Sequence, residues 1–277
     1  LVTLQDEASP AFMMGREPSL ESGPDAGLVA FEVEGEIFLG EEQGFAQVDV
    51  PEAVAAIVPM EAFEAGGVGA PDLFTLGDTL HALYTAYDAD GVGRIGAAVM
   101  SDGVMVQRPA PILSPSDDEA SLESPSIVVQ EGLLILLARA TLQSGATELR
   151  AYYAADLDVG WARIVGGGLE ALTRSEEPSS EVQSPSLIVH NGAYQLYYAR
   201  RSGTRWAVEL AVSDELLIWR PLGEVLGPSG EGFDSMGARG ADARSRDGEV
   251  DLVYMGQDGV SFQLGYAARP TPAGDQR

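Results

Sequence analysis

A short motif that keeps coming back constrains this chain more than any other feature. Glu123-Ser124-Pro125-Ser126-Ile127-Val128-Val129 returns as Gln183-Ser184-Pro185-Ser186-Leu187-Ile188-Val189. A third version, Gly69-Ala70-Pro71-Asp72-Leu73-Phe74, lies upstream, and a fourth, Arg239-Gly240-Ala241-Asp242-Ala243-Arg244, lies downstream with alanine in place of proline. Positions 71, 125, 185 and 241 are 54, 60 and 56 residues apart. A period of that size means repeated supersecondary units stacked on one another.

Each copy is followed by a glycine-containing turn (Gly77-Asp78, Glu131-Gly132, Asn191-Gly192, Asp247-Gly248) and then by an apolar run such as Ala193-Tyr194-Gln195-Leu196-Tyr197-Tyr198. Strand, tight turn, strand is the signature of a hairpin. Asp102, Asp156 and Asp214 close a third run, and Gln107, Trp161 and Trp219 follow each of them by five residues. The aspartate is suited to bonding its own turn backbone, and the tryptophan to covering the hairpin. A fourth short strand is expected at Pro111-Ile112-Leu113 and Glu224-Val225-Leu226. Four strands per unit at this period predict an all-β chain, a β-propeller of four-stranded antiparallel blades.

The expected blades are residues 27–58, 69–113, 123–172, 183–226 and 239–268, in a single domain over 1–277. The last has only three strands of its own, ending at Phe262–Ala267, whereas Ala11-Phe12-Met13-Met14 resembles an outer strand with no blade. Pairing the two closes a five-bladed ring through the N-terminal strand and removes an exposed edge.

With 43 acidic residues against 16 basic ones, all arginine, the formal net charge is −27. Phosphate backbones would be repelled, so nucleic acid is not an expected partner. With no cysteine there is no disulfide framework, thiol nucleophile or thiolate metal site. No apolar window is long enough for a membrane span, and a monomer is expected. His81 sits on a second strand and His190 in a turn, so both read as structural. The acidic stretch Ser116-Asp117-Asp118-Glu119 lacks the alternating oxygen pattern of a calcium loop. No metal or cofactor is expected, and the tyrosines in the strands read as packing.

The combination of Ser-Pro-Ser, an apolar pair, a turn, Tyr-Gln-Leu-Tyr-Tyr, Ser213-Asp214 and Trp219 resembles the five-bladed propellers of glycoside hydrolase families 43, 62, 32 and 68. Phe233-Asp234-Ser235-Met236-Gly237 is similar to linkers in that superfamily. The resemblance implies a carbohydrate ligand, an extracellular or cell-envelope location, and carboxylates meeting in a central funnel at the starts of the inner strands. One of them protonates the leaving oxygen while another activates water or attacks the sugar.

The family's glutamate acid stands two residues before a proline, as Glu123 does before Pro125. The slot implied for the auxiliary aspartate, directly before the second-blade proline, holds Ala70 here. Asp72 lies one full pleat along, on the same face of a strand. In the first blade Gly27 or Asp25 falls near the base position, depending on register. Asp25 and Asp72 are therefore the candidates for the second carboxylate. Gln183 and Arg239 share the slot of Glu123, and with Asp242 they form the candidate ligand-binding set, since acid, amide and guanidinium groups suit a sugar-like ligand. Three readings stand at this point. They are a propeller that binds a glycan, a glycosidase using Glu123 with Asp25 or Asp72, and a structural or protein-interaction propeller in which the aspartates merely hold strand starts.

Overall fold

The computed structural model describes residues 2–3, 16–20, 28–41, 54–176, 179–246, 248–259 and 262–268. In chain order, β1 is Val2–Thr3, and the first sheet is β2 (Arg16–Leu20), β3 (Leu28–Val33), β4 (Glu36–Glu41) and β5 (Val54–Ile57). The second is β6 (Gly67–Leu76), β7 (Thr79–Tyr87), β8 (Gly93–Ser101) and β9 (Val104–Gln107). The third is β10 (Glu119–Gln130), β11 (Leu133–Leu142), β12 (Thr147–Ala154) and β13 (Ala162–Arg163), followed by the one-and-a-half-turn helix α1 (Gly168–Thr173). Then come β14 (Ser180–His190), β15 (Ala193–Ser202), β16 (Arg205–Ser213), β17 (Arg220–Leu226), β18 (Gly237–Arg246), β19 (Glu249–Gln257) and β20 (Phe262–Ala268), which join with β1 in one eight-stranded sheet.

The chain is an all-β propeller, and among the described residues its hydrogen-bonded sheets number four, not the five separate blades expected from sequence. The cause is local. Gly237 runs so close to Trp206 that a Cβ there would lie 2.8 Å from the Trp206 carbonyl oxygen. That approach allows one parallel pairing, Trp206 with Gly237, which stitches β16 to β18 and fuses two antiparallel groups of strands into one sheet.

The N-terminal expectation changes as well. Residues 11–14 lie outside the described residues, and β20 is flanked instead by β1, with Val2 opposite Tyr266 and Thr3 opposite Gly265. Within the first sheet β2 lies inside β3, so residues 16–20, ahead of the blade expected over 27–58, supply the innermost strand. In the second sheet the outer strand is β9, and the expected Pro111-Ile112-Leu113 adds only a bridge from Leu113 to Ile95. Leu172, where the expected third blade ends, lies on α1.

Tight turns set the registers. Glu34-Gly35, Asp102-Gly103, Glu131-Gly132 and Asn191-Gly192 all have positive φ at both residues, for example 51° and 77° at Asn191-Gly192. This is the backbone whose twist matches a two-residue hairpin. Once the turns fix the register, period-two alternation delivers side chains to both faces of each sheet. Along β11, Leu134, Leu136 and Ala138 pack with Phe74, Leu83 and Ile95 of the second sheet. Ile135 and Leu137 pack the other way, with Leu196, Tyr198 and Trp219. A strand buried on both faces reads as a continuous apolar run, as Leu133–Ala138 does.

Candidate funnel site

Each innermost strand is interrupted at the same place. Pairing slips between Gly69 and Asp72, Glu123 and Ser126, Gln183 and Ser186, and Arg239 and Asp242, leaving two residues unpaired each time. Proline has no N–H to give to a ladder, so a bulge is where a strand tolerates it. The residue before it turns left-handed, with φ of 46° at Ala70 and 48° at both Ser124 and Ser184. At the fourth copy Gly240 takes the same conformation, φ 57°, without a proline after it. Glycine adopts that conformation without the strain a side chain brings.

The bulges change the work of the residue two places on. Asp72 accepts the Ile127 N–H at 2.6 Å, Ser126 Oγ accepts the Leu187 N–H at 2.9 Å, and Ser186 Oγ accepts the Ala243 N–H at 2.8 Å. Ser186 also donates to Asp242 Oδ1 at 2.8 Å. One slot thus links successive inner strands by side-chain to backbone bonds. Asp72 and Asp242, picked out by sequence as candidate site residues, are members of this girdle. The space they line with the four bulges is a cavity of about 20 Å³, room for about one water and too small for a sugar ring.

Burial, and next the Asp242 carboxylate, push the pKa of Asp72 up from its ordinary value, against the Ile127 N–H that favours the charged form. A folded-state value above the unfolded 3.8 means that the native state holds the proton longer. Stability therefore falls as pH rises from the unfolded value through the folded one. Asp72→Asn keeps an acceptor for Ile127 and removes this penalty. Its melting temperature should fall less steeply with pH over that window, and at pH 7 should match or exceed that of the unchanged protein. Parallel melting curves against pH for the two proteins would refute the coupling.

Glu123 sits at the mouth, above the bulge, with its side chain 16% exposed. Ser121 Oγ donates to its Oε1 at 2.6 Å, and Arg139 pairs with its Oε2. Arg139 reaches on to Glu181 at 2.9 Å, and Glu181 to Arg201 at 3.1 Å. Arg201 and Arg239 both lie over the ring of Trp206, 5.7 and 5.3 Å from its centroid. Gln183 is half-buried on the neighbouring inner strand. The mouth is thus a chain of alternating charges that ends on a guanidinium-covered indole, and Glu123 is one link of it.

Asp25 lies outside the described residues. What sequence reasoning missed is β2. Its pairing with β3 slips between Arg16 and Ser19, so Glu17-Pro18 occupies the bulge. The signal was legible: Glu17-Pro18-Ser19-Leu20 follows the pattern of Ser124-Pro125-Ser126-Ile127, and position 18 precedes position 71 by 53 residues, within the repeat. It places a glutamate directly before a proline.

His190 is partly exposed and shares its ring nitrogens with Ser245 and Asn191, each at 2.9 Å. His81 is buried against Phe74, and burial followed by the Arg108 charge lowers its pKa. Neither faces the funnel residues in these contacts. Among the described residues no three His, Asp or Glu side chains group as metal ligands, and no helix is long and apolar enough to cross a membrane.

The fold of this chain is similar to that of solved glycoside hydrolase structures. A thermostable family-43 glycoside hydrolase superposes with a TM-score of 0.67 at 14% identity, over 92% of this chain and 89% of that one. An α-L-arabinofuranosidase from Lactobacillus brevis gives 0.69 at 15%, over 96% and 94%. A family-32 β-fructofuranosidase from Bombyx mori gives 0.66 at 15%, over 92% and 60%. At these identities the likeness is one of fold. No family model and no curated protein matches the chain.

Proposed function

We propose that the protein is a glycan-directed propeller that acts as a monomer and binds a sugar chain at its funnel mouth through Glu123, Gln183 and Arg239, rather than hydrolysing it. The observation that carries this is the engagement of its carboxylates. Both oxygens of Glu123 already accept from Ser121 and Arg139, and Asp72 is committed to the Ile127 N–H beside a water-sized cavity. A proton donor needs an oxygen facing the leaving group. A mouth of fixed donors and acceptors instead suits hydroxyl recognition. This reading takes the eight-stranded sheet as two blades joined at Trp206–Gly237, supported by the single parallel pairing there and by the bulge that β14 and β18 each carry.

A second reading, hydrolysis with Glu123 as the acid, draws on the glutamate before Pro18 in β2 and keeps Asp25 and Asp72 as alternative partners.

Arg239→Ala should weaken glycan-array binding by about 10-fold or more, the loss of a charge-assisted contact, while Glu123→Gln leaves most of it. The unchanged protein should not turn over aryl arabinosides, aryl xylosides or fructans. Turnover that Glu123→Gln removes would establish the enzyme instead, and Glu17→Gln, Asp25→Asn and Asp72→Asn would then identify the second carboxylate. Binding insensitive to both Glu123 and Arg239 would put the site elsewhere.

A further inference from the structure

Beside the funnel mouth, on the third sheet, lies an open groove of about 440 Å³, within the size range of ligand pockets. Its floor is Arg150, 2% exposed and bound to Asp118, Glu119 and Glu148. Its walls are partly exposed. Arg163 spans Glu170 at 2.6 Å and Asp118 at 3.4 Å, and Arg174 leans on Glu148 at 3.4 Å with its own side chain 45% exposed. Gln143 and Ser144 form an exposed lip.

The lining selects a chemistry. Asp117, Asp118, Glu148 and Glu170 outnumber the three arginines, so an anion is disfavoured. Asp118, Glu148 and Glu170 are each paired with arginine, so a free cation finds those carboxylates already neutralised. Among the described residues no aromatic ring lines it, so they offer no face for stacking an aromatic ligand. Alternating N–H donors and carboxylate acceptors are matched by a group that both donates and accepts, which is a hydroxyl. The groove also continues from the mouth. Leu142 and Gln143 follow on from Arg139, the partner of Glu123, and Glu119 is four residues, about 13 Å of extended strand, from Glu123 itself.

We infer that this groove is an outlying subsite for the neutral, polyhydroxylated part of a glycan whose other end occupies the mouth. The inference rests on the proposed glycan binding and adds that affinity depends on chain length. The test is calorimetric titration with linear arabino-, xylo- and fructo-oligosaccharides of two and of six units, using the full chain. The expected result is that at least one hexamer binds more tightly than its dimer. Arg174→Ala and Ser144→Trp, an exposed position where the indole would fill the groove, should each weaken that hexamer about five- to tenfold, the loss of one or two hydrogen bonds, and leave the dimer unchanged. A hexamer no tighter than its dimer, or a length advantage that survives both variants, would overturn the subsite while leaving mouth binding intact. Hexamer binding that falls with Arg174→Ala yet ignores Arg239→Ala would overturn the mouth reading and the continuity inferred from it. If no oligosaccharide binds, both fail.

Discussion

Arg150→Met should lower the stability of the folded chain by about 3–5 kcal/mol at pH 7, the range for breaking a buried ion pair from one side. The guanidinium and the Glu119 and Glu148 carboxylates are each 1–2% exposed. Methionine fills much of the space but leaves the Glu119 carboxylate without the charge that offsets its desolvation, and Glu148 with only its longer contacts to Arg174 and Arg163. Burial pushes the pKa of Glu119 up, but the Ser116 N–H, the Tyr152 hydroxyl and Arg150 together hold it below its ordinary value. Arg150, and then Ser116, hold Asp118 lower still. A depressed folded pKa gives stability that is present above the unfolded value and lost as pH falls through the folded one. The deficit of the variant should therefore be full at pH 7 and shrink below about pH 4, where the unfolded carboxylates take up protons. Urea midpoints across that range measure it. A variant within about 1 kcal/mol of the unchanged protein at pH 7 would mean that the site accepts an apolar side chain, as some buried ion clusters do.

That cluster shows where sequence reading stops. The alternation along Thr147–Ala154 is plain, with Glu148, Arg150 and Tyr152 on one side and Leu149 and Ala151 on the other. Read alone, a face carrying Glu and Arg belongs to solvent. It is buried because Asp118 and Glu119, at the entry to β10, fold over it and bond Arg150 and Tyr152, and they are not local in sequence. The propeller was legible for the opposite reason. Prolines recurring every 53 to 60 residues within the inner strands each coincide with a bulge, and two-residue turns between apolar runs favour hairpins. The site was legible only in part. Position before a proline marks the slot, but whether Asp72 meets a ligand or a backbone N–H depends on the neighbouring strand, which supplies Ile127. The tryptophan and aspartate landmark held unevenly. Asp156 does cap its turn, accepting the Asp158 N–H at 2.8 Å, whereas in the later copy Ser213, not Asp214, accepts the Leu216 N–H at 2.9 Å. A hydroxyl and a carboxylate one residue apart compete for the same N–H, and sequence does not rank them.

Glu64→Ala should cost about 3–5 kcal/mol, comparable to the loss of Arg150, because one buried carboxylate there serves four donors. Glu64 is fully buried in a 3-10 turn that crosses from β5 to β6. It accepts the Tyr84 hydroxyl at 2.6 Å, the Gln107 amide at 3.1 Å, and the Met60 and Glu61 N–H groups at 2.9 and 3.0 Å. Alanine leaves the Tyr84 hydroxyl and the Met60 and Glu61 N–H groups to find other partners, while the Gln107 amide keeps the Val58 carbonyl at 2.9 Å; an unsatisfied buried donor costs about 1–3 kcal/mol. Burial, and then Glu64, raise the Tyr84 pKa, so the phenol remains a donor across the working pH range. The same device recurs at the fused end of the eight-stranded sheet. There Asp234, in an equivalent turn after Phe233, accepts the Tyr254 hydroxyl at 2.9 Å and a bond from Ser229. The match of Phe63-Glu64 to Phe233-Asp234, eight residues before Asp72 and Asp242, makes the connector part of the repeat. Tyr84→Phe removes one of the four donors and should cost only about 1–2 kcal/mol. Because the phenol and carboxylate touch, the double variant should be less destabilised than the sum of the singles. Chemical denaturation of the three variants decides it. Strict additivity, or a Glu64→Ala loss no greater than that of Tyr84→Phe, would show that the carboxylate does not anchor the connector.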